Sequence, residues 1–421
     1  MKPKSTNLYN QLAENKLFKK SINFDLNRIK KILFKLGHPE RKLRNVINII
    51  GSDGKFSVLS SLKFFIEANN QSTNTYISPS LKRINERFWI SDRYLSNAQI
   101  LKSIKIIEKH KIPLTIFEAL TVIFIINASK KESEYNLIEA GALFAKDSTN
   151  VFDFPLLQVI VNINKQHINF LKKKTLNEVI YQKVGFLSNF TNIYVGKQKK
   201  TTLNKIKLFL NKNNSKKIYP NNWRLLRINK SYFYKDKFSK IKLNSKYIHS
   251  DGLRQNLCLA IKIALDLKIK KNVIQKTIPN IFFEGRVQYL DKGKFKKMIH
   301  NNEKIIIDGA HSEIAAYNLA KFLKSIKEPK YAIWGMIKNK EPDLIIKKFK
   351  GLFKKIITVP IDGEKNYISS KILMNIAKQN NFHAETARDT KQAINKITSK
   401  ERKTIVIFGS FYLIGDVLRN N

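Results

Sequence analysis

Residues 45–67 read NVINIIGSDGKFSVLSSLKFFIE: an unbroken apolar run, VINII, then a turn bounded by glycines, then apolar residues at helical spacing. An apolar run without alternation is a strand buried on both faces, as in a parallel sheet. Strand, turn and helix in that order put the turn at the carboxyl edge of the sheet, where α/β proteins bind ligands. Gly51 and Gly54 allow backbone N–H groups to converge on an anion, and a helix starting near Ser57 adds the positive end of its dipole. Lys55 can neutralise phosphate charge, and the Ser57 hydroxyl can ligate Mg²⁺. The turn departs from the standard P-loop, because no glycine stands five positions before Gly54. Read alone, it is an ordinary tight loop as readily as a phosphate cradle.

The surrounding chain repeats the alternation. Apolar spacing predicts helices across 8–37, ending at Gly37. NTYISPS, YNLIEAG and LLQVIVNIN read as further strands, TIFEALTVIFIINAS as a buried helix and TLNEVIYQKVGF as a helix. Residues 195–250, rich in Lys and Asn, read as short antiparallel strands or loops. GLRQNLCLAIKIALDLKI restores a helix. After FFEGRVQYLDKGKF the alternation starts again: KIIIDGAH, KYAIWGM, KKIITVPI and RKTIVIFGS are strands, with EIAAYNLAKFLKSI, PDLIIKKFKGLF and a last segment as helices. The expected fold class is α/β, with a mainly parallel sheet and a smaller C-terminal α/β domain of Rossmann-like type. A boundary near 285–300 gives domains 1–290 and 291–421.

Composition limits the classes of function. The 79 Lys+Arg against 32 Asp+Glu leave a net charge of +47, a charge that captures phosphates by counterion release. The basic residues are spread through every segment and are mostly Lys, which reads as a bias of the whole chain over a solvated surface. Such a field also draws in anionic small molecules. The single cysteine, Cys258, excludes an internal disulfide and a multi-cysteine zinc site and fits a reducing compartment. MKPKSTNLYNQLAENK has no apolar run of signal-peptide length, and Leu120–Ala128 falls short of the roughly 20 residues that span a bilayer. The expectation is a cytoplasmic protein without membrane contact.

Further fragments follow the turn in order: SPSLKRINER (78–87), TIFE (115–118), IEAGALFAKDSTN (138–150), VNINKQHINFL (161–171), Lys183, EGRVQ (284–288), IIDGAH (306–311) and GSFYLIGDV (409–417). In these, across nearly its whole length, the sequence resembles the bifunctional dihydrofolate synthase/folylpolyglutamate synthase family, relatives of the Mur ligases. The resemblance implies a P-loop-like ATPase domain, a C-terminal glutamate-ligase domain and an active site in the cleft between them. It also implies a reaction. A carboxylate is a poor electrophile, so ATP phosphorylates it to an acyl phosphate, which the amine of L-glutamate then attacks. Phosphoryl transfer of this kind needs charge neutralisation by metal, lysine and backbone donors.

The resemblance assigns roles. ATP falls to Gly51, Ser52, Asp53, Gly54, Lys55, Phe56 and Ser57, with Arg286 next to the interdomain link and Asp308 and His311 from the second domain. Mg²⁺ falls to Ser57, Glu139 and His167. The family's carbamylated lysine falls on Lys183, which requires an amine whose charge its surroundings disfavour. Lys55, Lys183 and His167 form the catalytic set, and Ser78, Pro79, Phe117, Asp147 and Thr149 face the pterin or folate substrate. Small molecules are the expected partners (dihydropteroate, folates, L-glutamate and ATP), nucleic acid is not, and a monomer is the expected state.

Departures from the family pattern are specific. The usual turn is GTNGKGS; here Asp53 and Phe56 replace an asparagine and a glycine. An aromatic there can point into the helix–sheet interface, whereas an acid beside phosphate is unhelpful unless it faces metal or solvent. ALFAK replaces a glycine-rich run, although Asp147, Thr149 and Asn150 survive. Ser80 stands where histidine is usual, DGAHSE lacks Asn-Pro, and Cys258 stands where a nucleotide-contacting asparagine is expected. The reading is an ATP- and Mg²⁺-dependent ligase adding L-glutamate to dihydropteroate and to reduced folates. Another Mur-type ligase, a pseudoenzyme and a basic nucleic-acid-binding protein stay open beside it.

Overall fold

The computed structural model describes Leu8, Leu12 and residues 14–19, 24–338 and 340–421. The first helix expected within 8–37 falls largely outside these; the second runs Leu26–Lys35, with Asp25 as its N-cap. The chain folds as two compact units, Met1–Asn244 with Gln255–Ile281, and Ser245–Arg254 with Phe282–Asn421.

In the first unit an eight-stranded sheet runs in the order Lys217–Ile218, Asn192–Val195, Leu157–Ile160, Val46–Ile50, Tyr135–Glu139, Thr73–Tyr76, Phe88–Ser91 and Arg93–Tyr94. The pairs from Lys217–Ile218 through Thr73–Tyr76 are parallel. The two strands beyond Thr73–Tyr76 are antiparallel. Every residue of Val46–Ile50 is buried, because helices cover both faces of the sheet. On one face Val46, Tyr76 and Ile138 pack with Ile104, Val122 and Phe124. Farther along the same face, Ile50 and Ile160 pack with Val179, Ile180 and Ile206. The Ile116–Ala128 helix is apolar on nearly every side and buried accordingly, and Thr115 with Glu118 closes its first turn as a capping box.

The stretch 195–250 departs from its reading in two elements, one of them the Lys217–Ile218 strand, which pairs parallel with Asn192–Val195. The three-stranded antiparallel sheet of Trp223–Ile228, Ser231–Asp236 and Lys240–Lys242 is as expected, but Lys200–Leu210 is a helix. Its buried Thr202, Ile206 and Leu210 recur at i, i+4 and i+8, a narrow stripe that the intervening lysines mask.

The second unit holds a six-stranded sheet ordered Gln288–Tyr289, Lys304–Asp308, Thr404–Phe408, Lys330–Trp334, Phe353–Thr358 and Ala384–Thr386, parallel apart from its first pair. Both sheets answer to the α/β class read from the sequence. Among the described residues no helix is long and apolar enough to cross a membrane.

Candidate active site

The residues singled out in the first unit gather at the carboxyl ends of its parallel strands. Gly51–Ser57 follows Val46–Ile50, Ser78 and Pro79 follow Thr73–Tyr76, Glu139 ends Tyr135–Glu139, and His167 lies beyond Leu157–Ile160. Parallel strands all point their carboxyl ends the same way, so loops far apart in sequence meet along one edge.

The turn is shaped by two glycines. Gly51 has φ +147, and a Cβ there would come within 2.4 Å of Val161 Cγ2. Gly54 has φ +99, and a Cβ would meet the Asn256 side chain at 2.5 Å. Gly54 caps the Lys55–Ala68 helix without any side-chain cap bond, which leaves the helix mouth without a competing side-chain acceptor. The N–H groups of Ser52 and Asp53 donate to Asn162 O at 2.8 and 3.3 Å. Lys55 Nζ folds back over its own turn, 3.4 Å from Gly51 O and 3.3 Å from Ser52 O, with Glu139 Oε1 at 3.9 Å. Glu139 is buried, and its Oε2 accepts from the Ser78 N–H at 3.2 Å. Ser57 Oγ donates to Gly54 O at 2.9 Å and accepts from Asn256 Nδ2 at 2.8 Å.

Lys183 is only 1% exposed. Its Nζ donates to Gly51 O at 2.8 Å and to Ala142 O. Burial, reinforced by the charge of Lys55 and opposed by Asp147 and Asp53, pulls its pKa from 10.5 down to about 7. Asp147 is also buried, and desolvation raises its pKa despite hydrogen bonds from Thr149. Its Oδ1 accepts from the Thr149 hydroxyl at 2.6 Å and the Thr149 N–H at 3.0 Å. Gly141 lies between Asp147 and Phe117, where a Cβ would sit 2.5 Å from Asp147 Oδ2 and 2.8 Å from the Phe117 ring. The structure therefore brings Phe117, Asp147 and Thr149 together.

His167 takes φ +61 ahead of the Ile168–Phe170 turn, and its ring stacks on Phe170 with centroids 6.3 Å apart. It adjoins Gln166, whose amide donates to Asp53 at 3.0 Å. Among the described residues, no three His, Cys, Asp or Glu side chains converge as a metal cluster. A hydroxyl, a carboxylate and one imidazole are nonetheless donors that a hard divalent cation accepts.

The second unit has a cluster of its own. Asp308 ends the Lys304–Asp308 strand, and its Oδ2 accepts from the Val287 N–H at 2.8 Å. Burial raises its carboxyl to about 6 against the pull of the Arg286 charge. The Arg286 guanidinium lies 3.6 Å from the centroid of the Phe411 ring. The His311 ring meets the same phenylalanine edge-on at 5.1 Å, while its Nδ1 lies 2.9 Å from Gly309 O.

A family model described as dihydrofolate synthetase, C-terminal domain, matches residues 289–420. The dihydrofolate synthetase of Saccharomyces cerevisiae is 23% identical, covering 95% of this chain and 98% of that protein. The dihydrofolate synthase/folylpolyglutamate synthase of Bacillus subtilis is 24% identical, covering 93% and 94%. Along nearly its whole length this chain is similar to proteins named dihydrofolate synthetase or dihydrofolate synthase/folylpolyglutamate synthase. Its fold is similar to that of E. coli FolC in complex with DHPP and ADP, at TM-score 0.85 and 19% identity, with 99% of this chain and 97% of that one covered. It is similar also to the Yersinia pestis bifunctional enzyme complexed with AMPPNP and Mn ion, at TM-score 0.83 and 18% identity, covering 99% and 98%.

The departures from the dihydrofolate synthase/folylpolyglutamate synthase pattern now have physical settings. Asp53 faces two side-chain amides, accepting from Asn164 Nδ2 at 2.5 Å and Gln166 Nε2 at 3.0 Å, where the sequence left metal or solvent as its useful neighbours. Phe56 is half-buried at the helix start. ALFAK packs inward, with Leu143 and Phe144 in the core. Cys258 is wholly buried, and desolvation raises its thiol pKa. The asparagine facing the turn is Asn256, two residues earlier on the Asp251–Asp266 helix. Two positions on a helix differ by about 200°, so Cys258 points into the core while Asn256 meets Ser57. Asn256, Asn164, Gln166 and Phe411 were not singled out as site residues; the last three lie within the family-like fragments, and Asn256 is marked only by its partner in space.

Proposed function

We propose that this chain is an ATP- and Mg²⁺-dependent ligase that joins L-glutamate to dihydropteroate and adds further glutamates to reduced folates. The observation that carries the reading is the meeting of Lys55, Glu139, Ser78 and Lys183 around one glycine turn at the carboxyl edge of a parallel sheet. The names of the curated relatives, dihydrofolate synthetase and dihydrofolate synthase/folylpolyglutamate synthase, support the substrate class. A structure of a bifunctional folylpolyglutamate synthase/dihydrofolate synthase with Mn, AMPPNP and L-glutamate bound supports the co-substrates.

In this reading the turn 51–57 and the uncapped helix start receive the phosphates of ATP, and Lys55 swings from its own carbonyls toward the transferring phosphoryl group. Ser57, Glu139 and His167 would hold Mg²⁺, which neutralises phosphate charge as the acyl phosphate forms. Lys183, whose amine gives up its proton near pH 7, then has the lone pair needed to attack CO₂; its nitrogen forms the C–N bond, loses a proton and becomes an anionic carbamate. Phe117, Asp147 and Thr149 line the pterin or folate side with Ser78 and Pro79, while Arg286, Asp308 and His311 contribute to nucleotide binding. We assign residues 1–290 to the ATP-binding domain and 291–421 to the glutamate-ligase domain, with a cytoplasmic monomer as the working form.

A narrower reading, glutamate addition to dihydropteroate alone, draws on the match of residues 289–420 to a dihydrofolate synthetase domain and on the name of the yeast relative. One assay separates the two. ADP release is followed at fixed ATP, Mg²⁺ and L-glutamate, first with dihydropteroate and then with tetrahydrofolate. Release with both supports the bifunctional reading, and release with dihydropteroate alone the narrower one. Release with neither removes both.

A further inference from the structure

We infer that Phe411 is a positioning residue for nucleotide binding, its ring acting as a π platform that aims the Arg286 guanidinium and braces His311. This rests on the reading that Arg286, Asp308 and His311 take part in binding ATP. Phe411 opens the C-terminal helix Phe411–Asn420 just after Ser410, whose hydroxyl caps it. The ring occupies the space a side chain at Gly309 would need, since a Cβ there would lie 1.9 Å from it. Glycine at 309 and an aromatic ring at 411 are thus a matched pair.

On that ring Arg286 lies 3.6 Å from the centroid and His311 meets it edge-on at 5.1 Å. An arginine over an aromatic face keeps its hydrogen-bonding fork in a fixed plane, so less freedom is lost when the fork engages phosphate. An aliphatic residue of similar size would fill the space and supply no quadrupole. Packing and platform are therefore separable by mutation.

Asp308 gives a second readout. The groups facing it are the Arg286 guanidinium and the backbone N–H groups of Val287 and Ala310, with His311 three residues on turned to Gly309 O. Its carboxyl stands at about 6, raised by burial and lowered by Arg286. If the ring no longer holds the guanidinium, that lowering weakens and the carboxyl titrates at higher pH.

The test measures ADP affinity by titration calorimetry in wild type, Phe411→Leu and Phe411→Tyr across pH 5–8, with melting temperatures as a fold control and steady-state kinetics in ATP. Phe411→Leu should weaken ADP binding and raise KM for ATP by about tenfold, the scale of one cation–π contact, with a smaller change in kcat. It should also move the acid limb of binding upward in pH, and Phe411→Tyr should restore both. Equal affinity and equal pH limb in wild type and Phe411→Leu overturn the inference, as does loss in Phe411→Tyr equal to that in Phe411→Leu when both melt like wild type. Wild type that binds no ADP overturns the nucleotide reading itself, and the inference with it. Wild type that binds ADP with no change in the leucine variant overturns the inference alone.

Discussion

Lys183 Nζ donates to the carbonyl oxygen of Gly51 across 2.8 Å, fastening the Leu176–Val184 helix to the turn that follows the Val46–Ile50 strand. With its pKa pulled from 10.5 to about 7, chiefly by burial, the folded chain releases this proton well before the unfolded chain does. Between those values the unfolded state binds more protons, so this group makes stability rise with pH. Denaturant melts at pH 7 and pH 9.5 should show a larger gain for wild type than for Lys183→Met. Equal gains would place the lysine in solvent.

The proposed carbamylation would give the same residue a chemical signature. Lys183→Ala should lose ligase activity, and formate or acetate should restore part of it by filling the vacated space with an anion. The assay compares ADP release with and without the short acid at saturating ATP and Mg²⁺. Full activity of the variant without added acid removes Lys183 from the reaction.

Glu139 and His167 are proposed ligands of one Mg²⁺. Glu139→Gln keeps an acceptor for the Ser78 N–H while removing charge, and should raise the Mg²⁺ needed for half-maximal rate by about tenfold or more. His167→Ala should do the same, and the double variant should fall far short of additive, because the two act as a unit. Mg²⁺ titrations that match wild type in both single variants would refute the metal assignment.

Asn256 connects the turn to a helix remote in sequence. Asn256→Ala removes the donor to Ser57 Oγ, a hydrogen bond of about 1 kcal/mol, so KM for ATP should rise about fivefold. Gly54→Ala should be worse, because it adds a positive-φ penalty to the contact with Asn256. Combining the two substitutions should relieve the contact and leave the backbone penalty. A double variant no better than Gly54→Ala would show that the backbone alone governs this position.

The ease of reading differed along the chain for physical reasons. VINII announced a buried strand because nothing polar interrupts it, and the turn after it lies at the ligand edge by topology alone. The Lys200–Leu210 helix was hidden because its buried stripe is thin and its other positions are polar. Asn97–Glu108 went unassigned for the same reason: only Ile100, Ser103, Ile104 and Ile107 turn inward. In the site, Lys183 and Glu139 were found through family spacing. The partner of Ser57 stands 199 positions away in Asn256, and that of Asp53 stands 111 away in Asn164. Such pairings leave no local pattern, since they arise only when strand ends are brought into register.

Asp53 offers a test of whether the altered turn weakens nucleotide binding. An acid beside incoming phosphates repels them, yet here both amides donate to one oxygen, Oδ2. An asparagine carbonyl can accept the same two bonds, so Asp53→Asn should keep the loop 162–167 in place. The loss of charge weakens those bonds, since hydrogen bonds to ionised groups contribute about 1.5–3 kcal/mol and neutral ones about 1. Stability should fall by about 1 kcal/mol, visible as a small drop in melting temperature. Removing the charge should at the same time lower KM for ATP, and the advantage should shrink as salt is raised, because screening already weakens the repulsion in wild type. Kinetics in ATP at low and high ionic strength check both points. A KM that rises in Asp53→Asn would mean that the carboxylate serves the nucleotide site through the Asn164–Gln166 loop more than it repels phosphate.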